Sequence, residues 1–216
     1  MEQVNKDNLF KYSKREDNLN YITHGLGAVL SLVSLVYLLI EHNQVSIDIK
    51  VGIIIYGISM FALFAASSMY HKEQDPNRRA VLKRMDHAMI LVMISGTYAP
   101  FCLAMGTTSS YIILALVYIL SIIGIVIKVK FINVSSLISI SIYLIVGWLA
   151  VFMFKDIVNF FDPIVVILMV AGGVTYSLGA LVYAFTKFEF HHALWHVFVL
   201  VAAFLFFLAV NFALYI

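Results

Sequence analysis

The chain has a single cysteine, Cys102, set in an apolar run. No intrachain disulfide can form, and cysteine usage leaves the redox compartment undetermined. Charge is also scarce. Only 12% of the 216 residues are Asp, Glu, Lys or Arg, against roughly 25% in soluble proteins. The formal net charge of +2 is too small to argue for a nucleic-acid partner. No extended linker, low-complexity tract or stretch that reads as a soluble domain is present. A secretory signal is missing too. Residues 1–20 are polar and mixed in charge, with Lys11, Lys14, Arg15, Glu16 and Asp17. The apolar run behind them is long enough to span a bilayer and carries no clear small-residue cleavage site.

Apolar side chains dominate instead, at 62% of the chain. A protein this small cannot bury that much apolar surface within itself, so lipid must cover much of it. Seven stretches meet the length of about 20 apolar residues that a spanning helix needs: Tyr21–Ile40, Val51–Tyr70, Met85–Met105, Tyr111–Ile127, Val134–Phe154, Pro163–Phe185 and His192–Ile216. Short polar separators divide them. Lipid admits only helices and closed barrels, and barrel strands alternate and are about half as long. The expectation is an all-α integral membrane protein, a seven-transmembrane-helix bundle over residues 21–216 behind a cytoplasmic tail of residues 1–20. The tail would lie partly helical along the membrane surface.

Orientation follows from the basic residues. With the N-terminus inside, that side collects Lys6, Lys11, Lys14, Arg15, Lys72, Arg78, Arg79, Lys83, Arg84, Lys128, Lys130 and Lys187. Only Lys50 and Lys155 fall on the other side. A bias this strong supports both the orientation and the odd number of crossings, and it places the C-terminus outside.

Polar side chains at the span ends then need explaining. His71 closes the second span, Asp86 and His87 open the third, and His191, His192 and His196 open the seventh, all at one membrane depth. His192 and His196 stand four apart, on one face of a helix, where they can share a metal ion. The same spacing also suits an interfacial helix start, with Trp195 at the wet boundary. Ser67 and His71 repeat the spacing. Ser67 either bonds back to its helix or sits beside a third nitrogen ligand and orients a ligand or water. Asp86 lies one step inside an apolar helix, where a charge is costly. It either pairs with Arg79, Lys83 or Arg84, or it acts on a water as base or orienter. His87 points about 100° away from Asp86 around the helix, and His191 is discounted for the same reason. His24, just inside the first span, reads as a hydrogen-bonded packing residue, with a supporting role near a metal as the alternative. His42 falls in an outside connection and carries little meaning.

Taken together, the segments SSMYH, RMDHAMILVMISGTYAPF and HHALWHVFV resemble the haemolysin III family of bacterial membrane proteins, within the progestin and adipoQ receptors and, more distantly, the alkaline ceramidases. The resemblance runs from Tyr21 onward. It implies a seven-helix bundle in the bacterial plasma membrane with a cytoplasmic N-terminus. It also implies Zn2+ held by His71, His192 and His196, with Asp86 acting through a water and Ser67 nearby. Two functions are compatible with that site: a zinc-dependent hydrolase of lipid amide or ester bonds, and a non-enzymatic protein that senses or maintains bilayer state with zinc as a staple. A cytolytic pore fits less well, because the chain has no soluble form and its helices carry no polar stripe through the bilayer. A transporter fits less well still, for want of a midplane charge. The lipid substrate, the oligomeric state and any regulatory partner are not legible.

Overall fold

The computed structural model describes residues 9–130, 135–185 and 188–215. The first eight residues of the tail, with Lys6, and the sixth connection's Lys187 lie outside the described residues, as does the expected start of the fifth span at Val134. Helices carry the fold: α1 (Lys14–Glu41), α2 (Ile47–Lys72), α3 (Pro76–Met105), α4 (Thr108–Lys130), α5 (Ser136–Gly147), a 3-10 stretch (Trp148–Met153), α6 (Phe154–Phe160), α7 (Pro163–Phe185) and α8 (His191–Ala213). Seven helical segments are long and apolar enough to cross a membrane, the fifth being Leu137–Phe160. No strand occurs among the described residues. The chain is an all-α, seven-span membrane protein. Large side chains such as Ile22, Val33, Ile58, Ile122, Ile167 and Phe204 stand exposed on its outer faces, as lipid contact requires.

α1 starts seven residues earlier than hydropathy placed it. Ser13 caps it, its hydroxyl accepting the Glu16 N–H at 3.2 Å, in a Ser-x-x-Glu arrangement that favours a helix start. The last residues of the expected tail are thus the first turns of a span. α3 also starts early, where Asp75 accepts the N–H groups of Asn77 and Arg78 at 3.0 and 2.9 Å and Pro76 takes the first helical position.

Neighbouring spans pack in chain order: α1 on α2, α2 on α3, α3 on α4, and α7 on α8, while α8 also reaches α1 and α3 and closes the ring. Close approach of α2 and α3 depends on Gly52, where a Cβ would come within 3.0 Å of the Pro100 backbone. Because successive spans run in opposite directions, the start of α1, the end of α2 and the starts of α3 and α8 share one end of the bundle.

The fifth span is not a continuous α-helix. Its ladder changes to 3-10 between Trp148 and Met153, and the buried Tyr98 of α3 fills the gap. Its hydroxyl lies 2.8 Å from the Gly147 carbonyl and 3.2 Å from that of Val146, and it accepts the Ala150 N–H at 2.9 Å. Backbone groups freed at membrane depth need such a partner. Replacing Tyr98 with Phe strands them, so Tyr98→Phe is expected to cost about 1–3 kcal/mol, read as a lower unfolding temperature in detergent. An unchanged transition would show that the break is satisfied some other way.

Candidate metal centre

His71, on the last turn of α2, and His192 and His196, on the first turns of α8, meet at the shared end of the bundle. One ligand nitrogen from each lies within 4.8 Å of the others, and all three side chains are buried. The i, i+4 pair on α8 faces inward together, with Nε2 of His192 and Nε2 of His196 3.2 Å apart. The His71 ring centroid lies 5.1 and 5.0 Å from theirs, and its Nε2 has no hydrogen-bond partner among the described residues. Two nitrogens at about 2.0–2.1 Å from one tetrahedral zinc lie about 3.3 Å apart. A buried imidazole nitrogen without a partner is costly unless something occupies its lone pair. The donor set therefore fits a divalent metal ion.

The second nitrogens of His71 and His192 are held from behind, whereas Nδ1 of His196 makes no hydrogen bond among the described residues. His71 Nδ1 lies 2.8 Å from Asp17 Oδ1, and the Asn20 side chain is a more distant neighbour of the same nitrogen at 3.5 Å, not its hydrogen-bond donor. His192 Nδ1 shares a 3.1 Å hydrogen bond with the Tyr12 hydroxyl, and the Tyr12 ring stacks on the imidazole at 4.3 Å. Burial raises the Tyr12 phenol well above its ordinary range, so the hydroxyl stays protonated and can accept as well as donate. The His192 backbone N–H donates to Glu16 Oε1 at 3.1 Å, capping a helix whose N-cap residue, Phe190, sits in the left-handed region at φ 66°. A non-glycine residue there costs of order 1–3 kcal/mol, and that turn delivers His191 to His196 to the site. Leu9 through Asn20 thus lies across the cluster and is not a free tail.

Asp86 is buried at 7% exposure and opens onto the same space. The Ser67 hydroxyl lies beside it but makes no hydrogen bond of normal geometry with any described residue. Arg79, one of the three basic residues near Asp86 in sequence, pairs instead with Asp17. His87 lies outside the three-histidine cluster, yet it lines the same cavity as Asp86. His191 gives its Nδ1 to the Phe188 carbonyl at 2.9 Å.

Two readings of single histidines change. His24 makes no hydrogen bond with either ring nitrogen among the described residues; it stacks on His196 with centroids 3.5 Å apart. His42 is buried, with Nε2 3.1 Å from Asn211 Oδ1, and ties the first connection to the end of α8. Sequence reasoning missed Tyr12, Glu16, Asp17 and Asn20. Their signal was helical spacing: Asp17, Asn20 and His24 recur at three and four residues, one face of a helix.

From the histidines a cavity of about 470 Å³ runs into the bundle between α3, α5, α7 and α8. Its polar end is formed by His24, Ser67, Asp86, His87, His192 and His196. Beyond them the wall is almost wholly apolar, through Ile90, Ile94, Phe101, Leu144, Val151 and Ile157. The 3-10 stretch of the fifth span supplies part of that wall.

Residues 12–207 match the family described as haemolysin-III related. The "Hemolysin-3 homolog" of Bacillus subtilis (strain 168) is 36% identical over 191 residues, covering 88% of this chain and 90% of that protein. The "Hemolysin-3" of Bacillus cereus is 35% identical over 190 residues, 86% of each.

Proposed function

This chain belongs to the haemolysin-III-related family, and from that premise we propose that its histidine cluster binds zinc and serves a hydrolase acting on a lipid amide or ester bond. The observation that carries this reading is the cavity: His192 and His196 of the three-histidine cluster, with Asp86 and Ser67, line a space whose remaining wall is mostly apolar. Such a space suits an acyl chain, with the scissile carbonyl at the polar end. Three nitrogen ligands with a fourth position open are the usual set for a catalytic zinc. The bias of Lys and Arg puts this end at the cytoplasmic face.

His71, His192 and His196 would hold the ion. When bound, zinc supplies Lewis-acid polarisation of a carbonyl and acidifies water near neutral pH. Asp86 accepts a proton at its carboxylate from the attacking water as the water oxygen bonds to the acyl carbon. The same proton then passes to the departing nitrogen or oxygen as that bond to the acyl carbon breaks. Ser67, beside Asp86, offers its hydroxyl to orient the attacking water. The apolar wall orients the chain and keeps competing water out.

A second reading has its own support. α8 packs on α7, α1 and α3, and a metal would add a direct tie from α8 to α2. On that reading zinc is a staple in a lipid-sensing or membrane-homeostasis protein. Turnover separates the two. Purified protein in lipid nanodiscs is expected to release free fatty acid from ester or amide lipids, to stop when a chelator strips the metal, and to resume when zinc is restored. Zinc-loaded protein that binds its metal firmly yet releases nothing from either lipid class would leave the staple.

A further inference from the structure

The geometry points to Asp17 as the positioning residue that fixes His71 for metal binding, with Arg79 holding Asp17 in place. This rests on the histidine cluster being a metal site, and it adds a residue from the segment that precedes the apolar part of α1.

Asp17 carries two contacts at once. Oδ1 is 2.8 Å from His71 Nδ1 and Oδ2 is 2.7 Å from Arg79 Nη2. The contact with Arg79 is an ion pair, and the contact with His71 is a hydrogen bond. Arg79 has no exposed surface. Its other two nitrogens also donate, Nε to the Leu9 carbonyl at 2.8 Å and Nη1 to the Glu73 carbonyl at 2.9 Å. Its guanidinium lies between the rings of Phe10 and Tyr70, at 4.7 and 4.8 Å. A guanidinium bound on three sides cannot turn, so it fixes the orientation of the carboxylate.

A carboxylate only accepts, so the His71 nitrogen facing it carries the ring's proton. Neutral imidazole has one proton. Nε2 is then left as a bare lone pair, and Nε2 is the nitrogen that has no hydrogen-bond partner among the described residues, in a ring whose centroid lies 5.1 and 5.0 Å from those of His192 and His196. Asp17 thus chooses the tautomer as well as the ring angle, as carboxylates behind metal-binding histidines do.

Asp17→Asn tests this without changing size. Arg79 only donates, so the introduced amide must give Arg79 its oxygen and turn its NH2 toward His71. His71 Nδ1 must then accept, and the proton moves to Nε2, where a metal has to bind. The variant is expected to lose about 10- to 100-fold in Zn2+ affinity, measured by chelator competition on folded, monodisperse protein. Substitution with Co2+ should show an altered absorption spectrum. Asp17→Glu keeps both acceptors and is expected to recover most of the affinity. A purely structural role would instead lower the unfolding temperature of the metal-free variant while its affinity and cobalt spectrum stayed as in wild type, and that result overturns the inference.

Failure of wild type to bind Zn2+ at all would sink the metal site itself. Wild-type binding with an equally tight Asp17→Asn sinks only the role of Asp17. Should Asp17→Asn not fold, the unaltered protein still decides. Loaded with 113Cd and labelled with 15N-histidine, it is expected to show cadmium coupling to Nε2 of His71 and a proton on Nδ1. Coupling to Nδ1 would overturn the assignment.

Discussion

Asp86→Asn is expected to lower lipid turnover by about 10²- to 10⁴-fold, the usual contribution of a positioned general base, with zinc still bound. Asp86 is buried, faces the cavity and stands beside Ser67, but it is not one of the three clustered ligands. Asparagine preserves its shape and removes its capacity to take a proton. Zinc content and the unfolding temperature are therefore expected to stay near wild type while fatty-acid release falls. Equal loss of zinc and turnover would instead make Asp86 a ligand. Turnover within a few-fold of wild type would remove it from the chemistry altogether.

Loss of a ligand should look different. His196→Ala leaves His71 and His192 to hold the ion alone, and it removes the ring on which His24 stacks. Affinity should fall by more than the roughly 10- to 100-fold seen when a supporting partner is lost. The thermal signature follows from mass action. Wild type at a zinc concentration 1,000 times Kd gains about 4.1 kcal/mol of stability, and a variant that no longer binds gains close to nothing. His196→Ala should thus unfold at one temperature with or without zinc, whereas wild type shifts upward. A zinc-dependent shift as large in the variant would mean that the metal sits elsewhere.

The membrane fold was legible in the sequence because the bilayer restricts the options. Seven runs of spanning length admit few readings, and their parity alone puts His71, Asp86 and His192 at one end. The i, i+4 pair on α8 was equally legible, since a helix fixes which side chains share a face. What surrounds the histidines was not. Asp17 meets His71 and Arg79 across 54 and 62 residues of chain, and Tyr12 meets His192 across 180. No periodic pattern encodes such contacts. The segment's charge also read as a solvated tail, because hydropathy drew the first span from Tyr21 when the Ser13 cap begins it at Lys14. The 3-10 break at Trp148 left no sequence signal beyond Gly147. Its support, the hydroxyl of Tyr98, comes from a different span.

Metal analysis of protein purified without added metal or chelator, joined to zinc K-edge X-ray absorption, tests the central claim most directly. The expected result is one zinc per chain with three histidine nitrogens at about 2.0–2.1 Å. Chains that fold and remain monodisperse without metal, and take up none when zinc is supplied, would contradict it.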